Sequence, residues 1–227
     1  MMNKTISLLA SAALLTLAQA GWSTPGNEQK PAAPPAQQQE VDEPVPAPQQ
    51  EAVESAPIPQ QEVVEAALYG KVETIKKALA QGYKVDSRDP EKRTALMYAS
   101  FNGQTAVVKM LIDAGADVNA QDTGGTSALM FAASAPTGTE TVQVLLGAGA
   151  KVNMIDNNEH FTALMWAAAE GQVENVKLLL KHKADASLKD VDGDTAESFA
   201  QKKGHTAIVK VLQDASPATP ETKPQGN

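Results

Sequence analysis

Apolar residues recur at helical spacing in three separate stretches of this chain: Val108, Leu111 and Ile112; Val142, Leu145 and Leu146; Val176, Leu179 and Leu180. Positions i, i+3 and i+4 share one face of a helix, so each stretch predicts a helix that packs this stripe inward. Ahead of each lies a second, more continuous apolar run. These runs open as TALM at Thr94, SALM at Ser127 and TALM at Thr162, and a fourth copy opens as TAES at Thr195. The openings are 33, 35 and 33 residues apart. A fixed period in that range is the mark of a solenoid in which each unit buries its apolar face against the next.

Every unit predicts two short helices and a polar turn. Thr94, Ser127, Thr162 and Thr195 stand just before the first helix, where a hydroxyl can accept from an otherwise unpaired backbone amide. Gly103, Gly171 and Gly204 divide the two helices, and Gly115 and Gly149 end second helices where a positive φ is wanted. Lys183 takes that glycine's place in the fourth unit, a cost to stability unless the turn has changed shape. These residues resemble the ankyrin repeat, whose signature is a helix opening T-P-L-H-x-A. Here Ala95, Ala128, Ala163 and Ala196 stand at the usual Pro, and Met97, Met130 and Met165 at the usual His. The resemblance implies an all-α ankyrin-repeat solenoid of about five helix-turn-helix units with short hairpin loops.

On this reading the units cover about 61–88, 89–121, 122–155, 156–189 and 190–215. The first is an incomplete amino-terminal cap, with Lys77 where the others carry Met110, Val144, Leu178 and Val211. In the last unit the apolar triplet becomes Val209, Leu212 and Gln213, a polar change suited to an end with no neighbour. Two stretches break the period: Ala135 to Gly138 lengthens the turn between the third unit's helices, and Asn157 to Phe161 lengthens the hairpin before the fourth. Insertions in a solenoid map to surface loops, so both are candidates for binding.

Composition shifts outside the array. Residues 1–20 combine Lys4, an apolar run from Ile6 to Leu17, and Ala18-Gln19-Ala20, the pattern of a secretory signal cleaved after Ala20. The run is too short for a spanning helix, so no stable membrane insertion is expected after cleavage, and the periplasm is the expected location. Residues 21–60 hold nine of the fourteen prolines with much Gln, Ala and Glu, and predict a disordered extended linker. A similar short tail, 216–227, follows the array.

Charge and chemistry narrow the function. Without Lys4 the chain carries 18 basic residues against 27 acidic ones, a net charge of -9 that speaks against nucleic acid as a partner. With no cysteine there is no disulfide, thiol nucleophile or thiolate metal site. The three histidines, His160, His182 and His205, lie in no catalytic motif and at different places in the repeat. Asp190-Val191-Asp192-Gly193-Asp194 lacks the remaining ligands of a calcium loop and reads as an ordinary hairpin. No enzyme activity, cofactor or metal is expected.

What remains is a binding surface. Tyr98, Phe131, Trp166 and Phe199 share one position in successive first helices and should lie side by side, either filling the seam between them or offering an anchor strip. The resemblance places a partner at the hairpin tips and the exposed helix ends. Carried over by position, these are Arg88, Arg93 and Phe101 in the second unit and Gln121 in the third. In the fourth they are Ile155, Asn157, Glu159, His160, Phe161 and Glu170, and in the fifth Lys189, Asp192 and Asp194; Trp166 joins them as the candidate anchor of the aromatic ladder. Ile155 and Phe161 are apolar where a tip should be polar, and the tips run from basic (Arg88, Lys92, Arg93) to acidic (Asp190, Asp192, Asp194), a gradient suited to orienting a partner. The expected function is a periplasmic adaptor, monomeric, that binds another protein. Alternatives are a protective or haem-related accessory protein for a periplasmic peroxide-detoxifying enzyme, and an immunity protein against a secreted toxin.

Overall fold

The structure, a computed structural model, describes residues 56–215. The chain divides into two units, Met1–Ala56 and Pro57–Asn227, and all but the first of the described residues belong to the second. The expected signal, most of the linker and the tail lie outside the described residues.

Ten helices, and no strands, make up the described residues. They come in five pairs: α1 (Gln60–Tyr69) with α2 (Val72–Ala80), α3 (Ala95–Phe101) with α4 (Thr105–Asp113), α5 (Ala128–Ser134) with α6 (Thr139–Gly147), α7 (Ala163–Ala169) with α8 (Val173–Lys181), and α9 (Ala196–Lys203) with α10 (Thr206–Ala215). Odd-numbered helices stack on one another in order and form an inner row; even-numbered helices form an outer row in the same order. This is a helix-turn-helix solenoid of five units.

Inner helices of seven residues, such as α3, α5 and α7, are too short to persist alone, so caps and packing must hold them. Thr94, Ser127, Thr162 and Thr195 supply the caps, their hydroxyls accepting from the backbone N–H of Met97, Met130, Met165 and Ser198 at 3.4, 3.4, 3.2 and 3.3 Å. Met130 also returns a contact, its Sδ accepting from the Ser127 N–H at 3.5 Å. Packing does the rest. Leu96, Leu129 and Leu164 in the inner row, and Val108, Val142, Val176, Leu111, Leu145 and Leu179 in the outer row, are all sealed from solvent. Each such side chain contributes on the order of 1.5–3 kcal/mol relative to exposure.

The ends are polar, as the pattern predicts. Lys77 is exposed, whereas Met110, Val144 and Leu178 at its position are half-buried. Glu197 stands where Leu96, Leu129 and Leu164 are buried, and its Oε1 accepts from the side-chain amides of Gln201 and Gln213 at 2.9 and 2.8 Å. Neither insertion proves to be more than one residue. From cap to outer helix is 12 residues in the third unit (Ser127 to Thr139) against 11 in the second (Thr94 to Thr105). The fourth hairpin runs six residues from Asp156 to the cap Thr162, against five from Asp122 to Ser127.

Candidate partner-binding face

Each unit is entered through a hairpin built on one aspartate. Asp89, Asp122, Asp156 and Asp190 donate their backbone N–H to the carbonyls of Arg93, Thr126, Phe161 and Asp194 at 2.9 to 3.1 Å. Their carboxylates turn back onto the loop amides: Asp89 accepts from Arg93 N, Asp122 from Thr126 N, Asp156 from Asn158 and Glu159 N, and Asp190 from Asp192 and Asp194 N. This local pairing is the Asx type of turn, in which a short acceptor side chain replaces a missing backbone partner. It leaves Asp122, Asp156 and Asp190 buried.

Successive tips are bonded to one another. Thr123 gives both its N–H and its hydroxyl to the Glu91 carbonyl, at 2.9 and 3.0 Å. Asn157 donates its N–H to the Gly124 carbonyl at 2.8 Å, and Val191 to that of Glu159 at 3.1 Å. Side chains reinforce the row: Arg88 Nη1 donates to Gln121 O at 2.9 Å, and Gln121 Nε2 to Ile155 O at 3.2 Å. A second row, in the loops that lead from each outer helix into the next hairpin, joins Asp86 to Asp117 N, Asn119 to Gly149 O and Lys151 N, and Asn153 to Lys183 O and Asp185 N. The tips therefore form a pre-set surface, not a series of independent loops.

Within that surface the candidate residues divide. Arg88, Ile155, Asn157, His160, Lys189 and Asp192 are exposed, and Gln121, Glu159 and Glu170 are partly so. Ile155 retains 42% of its surface in solvent. Arg93 turns inward: its Nε lies 3.5 Å from Asp122 Oδ2, and only 13% of its side chain is accessible. Asp194 pairs with Lys202. Because Asp190 is buried as a turn acceptor and Asp194 is paired, Asp192 is the exposed member of that trio, with exposed Lys189 nearby in sequence. The expected basic-to-acidic run along the tips is correspondingly weak.

Phe161 corrects the sequence reading. Expected at an exposed tip, it is 8% accessible and lies edge-on between Trp166, at 5.6 Å between ring centroids, and Phe199, at 5.0 Å. Its carbonyl accepts from Asp156 as those of Arg93, Thr126 and Asp194 accept from their hairpin aspartates, and His160 at φ 59° holds the left-handed place of Lys92, Gly125 and Gly193, so Phe161 keeps the pre-cap position of its siblings. The expected ladder of adjacent aromatics is thus interrupted by an inserted ring. Tyr98 is fully buried, its hydroxyl donating to Asp89 Oδ2 at 2.5 Å. Phe131 and Trp166 are half-buried; Phe131 meets Phe101 edge-on at 6.0 Å, and the Trp166 indole N–H is enclosed without a hydrogen-bond partner. Two exposed apolar residues escaped the sequence reading, Tyr69 at 59% and Val191 at 52%. The signal was available: Asn102, Glu170 and Lys203 are polar at the position of Tyr69, and Thr123 and Asn157 at that of Val191.

A family model described as ankyrin repeats in three copies matches residues 63–156 and again 129–223, together most of the chain. The chain belongs to the ankyrin-repeat family. Over 48 residues it is 46% identical to an ankyrin repeat protein, YahD, of Escherichia coli (strain K12). That match covers 21% of this chain and 24% of the relative, so the chain spans about a quarter of the length of the curated relative it matches. Ankyrin repeats generally mediate protein–protein interactions, and the family is typically non-enzymatic. In this ankyrin array, among the described residues, no group of three or more His, Cys, Asp or Glu side chains is placed to hold a metal ion, and no helix is long and apolar enough to cross a membrane.

Proposed function

We propose that the protein is a periplasmic ankyrin-repeat adaptor that captures one partner protein on its hairpin tips and inner-helix ends. The observation that supports this most is the tip row itself: Glu91 to Thr123, Gly124 to Asn157 and Glu159 to Val191 are tied backbone to backbone. A surface ordered before encounter spends little further conformational entropy on binding. Onto it the array projects Ile155, with Asn157 and His160 exposed beside it in the chain and Arg88 and Lys189 on flanking tips. An exposed aliphatic residue among hydrogen-bonding groups suits a protein partner better than a solvated rim with nothing to bury. The signal-like residues 1–20 support export, and a row of four complete units offers room for an interface of standard size, roughly 800 Å² per partner.

The experiment is a paired capture. Mature chain and its Ile155→Asp variant, each immobilised, are exposed to periplasmic extract of the native host. A species retained by the first at least tenfold better than by the second, with the two baits melting alike, supports the reading; equal retention removes the tip face from it. Fractionation of the host that leaves the chain in the cytoplasm removes the periplasmic part independently.

A further inference from the structure

The turn between α3 and α4 carries the sequence's single Asn-Gly pair, Asn102-Gly103, and it joins three units of the array. Asn102 closes α3 at φ -97° and ψ 10°, and Gly103 follows in the left-handed region at φ 63°. From there the Asn102 side chain reaches back to the first unit. Its Nδ2 donates at 2.9 Å to the carbonyl of Leu68, one of those that the end of α1 leaves without an intrahelical partner. The main-chain carbonyl of Asn102 accepts from the Thr137 hydroxyl of the third unit at 3.5 Å, and a Cβ on Gly103 would stand 2.6 Å from that hydroxyl. Sibling turns carry Tyr69-Gly70, Glu170-Gly171 and Lys203-Gly204 at this place, and none of those pairs has a side-chain amide.

An asparagine followed by glycine is open to attack from within, because glycine puts no side chain in the path of its own amide nitrogen. The Gly103 nitrogen bonds to Asn102 Cγ, the Cγ–Nδ2 bond breaks, and the Gly103 amide proton leaves with that nitrogen as ammonia. Water then opens the five-membered imide at either carbonyl. Opening at Cγ leaves aspartate; opening at the main-chain carbonyl leaves isoaspartate, with the Asn102 Cβ methylene now part of the backbone.

The folded geometry holds this reaction off. Ring closure needs the Gly103 nitrogen eclipsed with the Asn102 Cβ, and a ψ of 10° keeps the two far from eclipsed. The same nitrogen donates its hydrogen to Ser100 O at 3.1 Å, and the amide to be attacked is held at Leu68. Its release depends on the first unit. Among the described helices α1 and α2 have a neighbouring unit on one side only, and an end unit opens at lower free energy than those between neighbours.

We propose that Asn102 is a site of spontaneous deamidation, gated by opening of the first unit, and that its conversion keeps that unit from reseating. A carboxylate at this position has no hydrogen to donate and sets an acceptor against the Leu68 carbonyl, which then keeps only Gln104 Nε2 at 3.4 Å. Isoaspartate adds a backbone atom to a turn that Thr137 covers too closely even for a Cβ. The tip row, which starts at Glu91, takes none of its backbone bonds from this turn. The site is thus a one-way timer on the amino-terminal end of the array that leaves the tips in place.

The test follows conversion of the full chain in mildly alkaline buffer, folded and in urea, by peptide mapping with mass spectrometry. The Asn102 peptide should convert first in both, about tenfold more slowly when folded. Ile75→Ala truncates a sealed side chain of α2 away from the turn and should speed conversion of the folded chain several-fold. Asn102→Asp stands in for the product. Amide hydrogen exchange in its α1 and α2 should quicken several-fold while α7 and α8 stay at parental rates, and converted parent separated by ion exchange gives the same readout should the variant fold poorly. Asn102 intact in the folded chain for a hundredfold longer than in urea overturns the site. Equal conversion in parent and Ile75→Ala overturns the gate, and unchanged exchange in α1 and α2 overturns the consequence.

Discussion

Phe161 lies edge-on to Phe199 at 5.0 Å, which joins the hairpin of the fourth unit to the inner helix of the fifth. The contact converts the residue expected to greet a partner into part of the seam between units. Replacing Phe161 by Ala removes a ring from both the Trp166 and Phe199 contacts, and a destabilisation of about 3–4 kcal/mol is expected. Urea unfolding followed by circular dichroism measures it. A loss below about 1 kcal/mol would return Phe161 to the surface.

Ile155 should behave oppositely. With 42% of its surface exposed, Ile155→Asp should change unfolding free energy by less than about 0.5 kcal/mol. The same urea series reads this, and a large loss would show that the tip packs on something the exposure hides.

How far the fold could be read in advance follows from what repeats. Thr94, Leu96, Val108, Leu111 and Gly115 recur one unit apart, and recurrence at fixed spacing specifies stacking whatever the surrounding residues are. Surface exposure does not recur. Phe161 stands just before its cap where Arg93, Thr126 and Asp194 stand before theirs, and with four different side chains at that place the sequence does not display that this ring packs between Trp166 and Phe199. Arg93 was misplaced for a related reason: the register puts it at a tip, but its partner Asp122 lies in the next hairpin, a pairing the linear sequence does not display.

Asn175 shows the same limit at a buried position. The outer-helix residues at its register are Val107, Thr141 and Ile208, all fully buried, and Asn175 is 1% exposed among them. Its amide donates to the Ala133 carbonyl and to that of Ala132, which also accepts from the Ala135 N–H, beside the turn that carries its extra residue, and its Oδ1 accepts from the Thr139 hydroxyl at 2.8 Å. Asn175→Val restores the apolar pattern yet strands those groups, so a loss of about 1–3 kcal/mol is expected in place of a gain. Thermal unfolding of the variant decides between them.

Lys183 adopts φ 65° where Gly82, Gly115 and Gly149 adopt 83°, 89° and 87°. The turn has kept its shape: the Ala184 N–H donates to Leu179 O at 2.9 Å as Ala116 does to Leu111 O at 3.0 Å. The side chain is exposed and the left-handed conformation disfavours a Cβ, so Lys183→Gly should stabilise the array by up to about 1 kcal/mol. The midpoint of urea unfolding should rise with its slope unchanged; a fall would mean that the lysine side chain makes a compensating contact.

Tyr98 gives the array a defined alkaline sensitivity. Burial, and then the hydrogen bond its hydroxyl donates to Asp89, push its phenol from 10.0 up to about 12. Below pH 10 the folded and unfolded chains both keep the proton, and the contribution is fully present. Between pH 10 and about 12 the unfolded chain has lost a proton that the fold retains, so stability falls as pH rises, by at most ~1.4 kcal/mol per unit, and the loss levels off above that window. Tyr98→Phe removes the titrating group and leaves every lysine in place. Between pH 9 and pH 11 the parent should therefore lose about 1 kcal/mol more than the variant in matched urea titrations. Equal losses would mean that the Tyr98 hydroxyl reaches solvent in the folded chain.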